Sequence, residues 1–318
     1  SVPYVVSPRG MMVKELIRLK SRLIKSLWIL FIERRNLESA EAIHVTADIE
    51  ADELEKFGFE LPDILEIPNG VDTPSGSVAL ASSEDVRHAC RMRRPMILYL
   101  GRVNWKKNLI ELAQAMAHVP TGHLIVAGYD EDDYGYRVAA AAASADVQDR
   151  VTVFARPVLG TDKEALLSRC DVFVLPSLSE NFGNAALEAA VRGKPLVVSE
   201  GSGVATMVRE QHCGLICRPQ SESIAEAINR LLSEPNMART MGQRARNAAS
   251  RQYSWPAIAR SMSSAYQALI EQRVGNNSYN QTGLESEADG VLRPLGGSRR
   301  ASSTVRDNAI STSSRWRE

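Results

Sequence analysis

The chain has 318 residues, of which 44% are hydrophobic and 24% charged, enough apolar material for two domains each with its own core. Lys plus Arg and Asp plus Glu number 38 each, so no global field draws the chain to nucleic acid. Cys90, Cys170, Cys213 and Cys217 lack a CxxC spacing and the five histidines are scattered, which excludes a disulfide framework and a histidine-built metal centre and suits a reducing compartment.

The first residues, Ser1-Val2-Pro3-Tyr4-Val5-Val6-Ser7, already lie in an apolar run with no initiator Met or leader pattern, and read as the start of a fragment. Met11 to Arg35 has helical composition, with Lys14, Arg18, Lys20, Arg22, Lys25, Arg34 and Arg35 outnumbering Glu15 and Glu33. Its apolar centre, Leu23 to Ile32, is shorter than the roughly 20 residues that a bilayer requires. A core helix with a solvated basic face is the simpler reading. The second is an interfacial helix over residues 14–35, with Trp28 at the headgroups of anionic lipid.

Ala42 to Thr46 and Ile64 to Pro68 predict short strands flanking a helix from Ile49 to Lys56, and Pro68-Asn69-Gly70 predicts a turn. The stretch 76–95, polar apart from a helical run near Ser83 to Met92, predicts an interdomain connection. Strands are then predicted at Met96 to Leu100, His123 to Ala127, Val151 to Phe154, Val172 to Leu175, Leu196 to Val198 and Gly214 to Cys217. Helical segments alternate with them at Asn108 to Met116, Tyr134 to Ala143, Lys163 to Ser168, Ala185 to Val191, Ile224 to Leu232 and Met237 to Arg251. Such alternation predicts an α/β fold with a doubly wound parallel sheet over 96–253. A final helix, Trp255 to Gln272, follows, and the Ser-, Asn-, Gly- and Arg-rich stretch 274–318 predicts a disordered tail.

Two strand-to-helix junctions carry chemistry. After Leu98-Tyr99-Leu100, Gly101 permits a tight exit, and Arg102 and Lys107 supply a planar fork and a mobile point charge, a pair suited to a diphosphate leaving group. After Val172 to Ser177, Glu180 and Glu188 bracket Asn181-Phe182-Gly183-Asn184. On one helix, glutamates eight residues apart would be separated by roughly 12 Å and about 80°; Glu180 therefore belongs to the loop and Glu188 to the helix. The helix start between them offers backbone N–H groups to phosphate, and the carboxylates accept from hydroxyls. Either junction alone reads as an ordinary surface loop. Two on the same sheet edge point to a nucleotide-sugar site.

Gly101-Arg102 with Lys107-Asn108, Pro68-Asn69-Gly70-Val71-Asp72, and Pro176-Ser177 followed by Glu180-Asn181-Phe182-Gly183 and Glu188-Ala189 together resemble the GT-B retaining glycosyltransferases of family 4. Ser7-Pro8-Arg9-Gly10 and Glu41-Ala42-Ile43-His44 are similar to members that build bacterial exopolysaccharide or lipopolysaccharide. The resemblance covers roughly residues 1–272. It implies a remnant of an acceptor-side α/β domain at 1–75, a Rossmann-like donor domain at 96–253 and a helix, 254–273, that crosses back to the first. It also implies transfer with retention from a UDP- or GDP-linked sugar to a saccharide or lipid-linked acceptor, with no metal or other cofactor, in the cytoplasm or at the inner face of the cell membrane.

By resemblance, Arg102 and Lys107 hold the donor diphosphate beside Gly101, Glu180 contacts the sugar hydroxyls and Glu188 the ribose. Backbone N–H groups of Phe182, Gly183 and Asn184, next to Asn181, surround sugar and phosphate, and the loop Phe154 to Val158 borders the nucleobase. Two positions depart from the family pattern: Arg156 replaces a small residue, and Thr206 stands where a Glu often follows Gly201-Ser202-Gly203. Two other readings stay open, a glycoside hydrolase using Glu180 and Glu188 and a non-catalytic nucleotide-sugar-binding module.

Overall fold

In the computed structural model, residues 2–13, 26–74 and 81–283 are described, with side chains to Val274. Residues 14–25, the amino-terminal half of the expected interfacial helix, and 284–318 of the expected tail lie outside them.

A small lobe is built first. The strands β1 (Val5–Val6), β2 (Ala42–Val45) and β3 (Ile64–Glu66) form a parallel sheet in that order. The connection from β1 to β2 is not helical where it begins, at Met11 to Val13; its described helical part holds a π-helical turn at Ile29–Glu33 and α1 (Arg34–Glu38). Helix α2 (Asp48–Glu55) joins β2 to β3. Met12, Leu37, Ile43, Val45 and Leu54 make this lobe's core. Leu27, Trp28, Leu30, Phe31 and Ile32 are exposed rather than packed, so a core helix does not describe this segment.

After α3 (Glu84–Arg91), six parallel strands build the large lobe. They are β4 (Met96–Leu100), β5 (His123–Ala127), β6 (Val151–Phe154), β7 (Val172–Leu175), β8 (Leu196–Ser199) and β9 (Gly214–Cys217), in the order β6-β5-β4-β7-β8-β9. Every residue of β4, β5, β7 and β8 is buried, which is why each is apolar, save for His123 and Ser199 at strand ends, rather than alternating. The intervening helices are α4 (Leu109–Ala115), α5 (Tyr134–Ser144), α6 (Gly160–Arg169), α7 (Asn184–Val191), α8 (Ala205–Gln211), α9 (Ser221–Ser233) and α10 (Pro235–Gln252). Chain order runs outward from β4 on one side and from β7 on the other. The switch between them opens a crevice at their carboxyl ends, where ligands bind in open α/β sheets.

Two differences from the sequence reading have local causes. Helix α8 was absent from it, because Val204, Thr206 and Val208 dilute the helical signal of a seven-residue element. The last helix, α11 (Trp255–Gly283), runs eleven residues past Gln272, since Gly275 inside a helix costs only about 1 kcal/mol against Ala. The stretch 274–283 is therefore helical, not tail.

The lobes meet through paired crossings. Val71 and Ser254 form a parallel bridge, and the Val71 N–H donates to the Tyr253 carbonyl at 2.7 Å. Gly70 lies so close to the Trp255 ring that a Cβ there would stand 2.4 Å from Cε3.

Candidate active site

The crevice between β4 and β7 is a cleft of about 650 Å³. Gly101, Arg102, Lys107, Val158, Glu180, Asn181, Phe182, Gly183, Asn184 and Glu188 all line it. Residues from three separate stretches of chain thus converge on one space.

The cationic wall follows β4. A short 3-10 turn, Trp105–Lys107, folds the chain back, and left-handed Asn108 (φ 58°) starts α4. This turn carries Lys107 inward, where it is buried and its Nζ pairs with Glu180 Oε2. A lysine is rarely buried unless paired, and the pair explains its position. The loops are also joined by backbone, Leu178 N–H donating to the Lys106 carbonyl at 2.8 Å. Arg102 is by contrast largely exposed and stands 3.7 Å from Glu131. Its carbonyl accepts from the Tyr99 hydroxyl at 2.7 Å. Burial, with the Glu180 charge adding to it, holds the Tyr99 phenol well above its ordinary value, so it remains a donor that fixes the strand exit.

The second wall is the start of α7. Gly183 caps it at φ 107°, and a Cβ there would meet Leu175 Cδ2 at 2.8 Å. Only glycine fits that turn at little cost. The N–H groups opening α7 have no intrahelical partner, and Gly183, Asn184 and Ala185 line the cleft. The Phe182 side chain is core, stacked near Tyr253 with ring centroids 6.1 Å apart. The Asn181 and Asn184 side chains reach the small lobe: Asn181 Nδ2 donates to Thr46 Oγ1 at 2.8 Å and Glu50 Oε2 at 3.3 Å, and Asn184 Oδ1 accepts from Asn69 at 2.9 Å. One turn further along α7, Glu188 accepts from Lys163 Nζ at 3.1 Å.

Lys163, Arg9 and Asn69 also line the cleft and were given no role by the sequence. The turn signal at Pro68-Asn69-Gly70 located Asn69, but its partner lies 115 residues away. Lys163 had no local signal beyond its place at the start of a helix.

The loop after β6 divides. Pro157, Val158 and Leu159 line the cleft, whereas Arg156 turns away to Asp85 of α3 at 2.9 and 3.0 Å. That ion pair holds it away from the cleft that Pro157, Val158 and Leu159 line. Thr206 donates to Asp48 Oδ2 at 2.8 Å and serves as a link between lobes. Among the described residues, no group of three or more His, Cys, Asp or Glu side chains is placed to hold a metal ion, and no helix is long and apolar enough to cross a membrane.

The family model described as glycosyl transferases group 1 matches residues 83–248. A glycogen synthase of Mycobacterium tuberculosis is 29% identical over 239 residues, covering 72% of this chain and 54% of that protein. An alpha-maltose-1-phosphate synthase of Mycolicibacterium smegmatis is 29% identical over 251 residues, 72% of this chain and 63% of that protein. The chain thus spans about 54% to 63% of the length of these relatives. Among solved structures, a sucrose-phosphate synthase of Thermosynechococcus elongatus superimposes with TM-score 0.71 at 26% identity, covering 86% of this chain and 69% of that one. HepE of Anabaena, solved with UDP and glucose, does so with TM-score 0.68 at 19% identity over 84% and 72%. These matches give the two-lobed GT-B fold.

Proposed function

Because the chain belongs to the group 1 glycosyl transferases, we propose that its cleft binds a nucleoside-diphosphate sugar and transfers the sugar to a hydroxyl of a saccharide or lipid-linked acceptor. The observation that carries this reading is the convergence of a buried lysine, an exposed arginine, a helix start and two carboxylates on one cleft at the switch point. A diphosphate leaving group demands that set: positive charge where negative charge develops, already in place before reaction.

In this reading Lys107 spends one of its three N–H donors on Glu180 and turns the others to the diphosphate. Arg102 closes over the same phosphates from the exposed side, and the α7 N–H groups complete the cradle. Glu180 accepts from sugar hydroxyls and Glu188 from the ribose, with Val158 beside the nucleobase. The acceptor oxygen bonds to the anomeric carbon as the carbon–oxygen bond to phosphate breaks; the nucleoside diphosphate leaves, and its phosphate oxygen takes the acceptor proton. Attack on the face the leaving group vacates gives retention. No step calls for a metal or other cofactor. The resemblance supports retention and a place in bacterial exopolysaccharide or lipopolysaccharide synthesis. UDP in the HepE structure supports a uridine donor. A hydrolase pairing Glu180 with Glu188 fits less well, since each carboxylate is held by its own lysine.

Calorimetric titration with UDP and GDP tests the donor site. Saturable binding of one, with a loss of tenfold or more in Arg102→Ala, is the expected result. Failure of both nucleotides to bind would reject the proposal.

A further inference from the structure

We infer that a cavity at the edge of the large lobe's sheet is a binding site for a small organic anion with an apolar ring as its body. Helix α3 packs against α6, and β6 is an edge strand. Between α3 and β6 lies a cavity of about 820 Å³, within the roughly 300 to 1,000 Å³ of small-molecule sites. It shares no lining residue with the donor cleft.

The floor is carbon with one closed polar pair. Thr152 and Phe154, two residues apart on β6, face the same side of the sheet, and Ala89 and Met92 complete the floor beside them. Ala89 and Phe154 are buried and Met92 is half-buried. His123 Nε2 and Thr152 Oγ1 are hydrogen-bonded to each other at 2.8 Å. Burial, with the Arg94 charge adding to it, holds the His123 imidazole below its ordinary value, so it is mainly uncharged at neutral pH. A body resting here gains by covering apolar surface and meets a polar pair already satisfied.

The rim supplies charge. Glu84 accepts from Arg87 at 2.5 and 3.0 Å and Asp85 from Arg156 at 2.9 and 3.0 Å, so both carboxylates are already countered. Arg93 and Arg94 are exposed, and neither side chain has a hydrogen-bond or ion-pair partner among the described residues. Asp149 is the remaining carboxylate of the lining. Two open guanidinium forks therefore face one carboxylate, and such forks take carboxylate, sulfonate or phosphate oxygens two at a time. The backbone that carries them is fixed, because Arg169 donates to the carbonyls of Cys90, Met92 and Arg94 at 3.1, 2.9 and 3.3 Å. Cations on a held backbone above an apolar floor match a molecule that is charged at one end and apolar at the other.

The test titrates the whole chain, with UDP in excess, with anilinonaphthalene sulfonate and with its neutral counterpart phenylnaphthylamine, read by fluorescence. The sulfonate should bind saturably and at least tenfold more tightly than the neutral amine. Arg93→Ala and Arg94→Ala together should weaken the sulfonate at least tenfold, leave the amine unchanged and hold the melting temperature, since both side chains are exposed. Thr152→Trp, which fills the floor, should weaken both probes; if that chain does not fold, the arginine pair alone decides. Four results overturn the inference: no saturable binding, an amine that binds as tightly as the sulfonate, sulfonate affinity indifferent to loss of both arginines, or displacement of the sulfonate by UDP, which would put it in the donor cleft.

Discussion

Two lysine–glutamate pairs line one cleft, and their surroundings set them apart. Lys107 and Glu180 retain 9% and 21% of their side-chain exposure; Lys163 and Glu188 retain 29% each. Lys107 is turned inward by a 3-10 turn and pinned between the β4 and β7 loops, whereas the second pair links neighbouring helices near solvent. Coulomb attraction between exposed partners is offset by side-chain entropy and screening. Burial changes the accounting, because removing one partner leaves the other charge stranded. The same chemical pair is therefore a structural keystone at one end of the cleft and an adjustable contact at the other.

The sharpest way to break this comparison is Lys107→Met. With Glu180 left without its cation, stability should fall by about 3 kcal/mol, read as a loss of several degrees in melting temperature, and nucleotide binding should fall with it. A variant as stable as the wild type would place both pairs in the same class. Gly183→Ala comes next: it forces a side chain into a φ of 107° against Leu175, at about 1 to 3 kcal/mol, and should disturb the α7 start that both glutamates flank. Chemical denaturation measures the first effect and UDP titration the second. Arg102→Ala removes an exposed cation, so its thermal midpoint should hold while nucleotide affinity drops by about 1.5 kcal/mol. Lys163→Ala should produce the smallest change, within about 1 kcal/mol of stability, with its effect on nucleotide binding below that of Lys107→Met. A larger effect than Lys107→Met would invert the comparison.

The strands that frame this cleft were legible in the chain; the pairings across it were not. Met96 to Leu100 and Val172 to Leu175 announce buried parallel strands because nothing polar interrupts them, and the residues after each carry the chemistry. Position along the chain cannot reveal partnership across it. Lys163 meets Glu188 over 25 residues and Lys107 meets Glu180 over 73, and neither pairing leaves a periodic trace. Arg156 shares a loop with Val158 yet turns from the cleft to Asp85 of α3. Glu50 looked like any charged residue on a helix; the bond it accepts from Asn181 is visible only once α2 is placed beside the loop after β7.

The paired crossings at Val71 and Ser254 govern how the two lobes can move. A joint made of a single strand swivels in any direction, but two segments hydrogen-bonded side by side behave as a pin with one axis. Twisting or sliding would tear the Val71 to Tyr253 bond and drive Gly70 into the indole of Trp255, while opening and shutting about the pair leaves both contacts in place. Opening about that pin would also part the bonds from Asn181 to Thr46 and Glu50 and from Thr206 to Asp48, so the crossing alone does not free the lobes to separate.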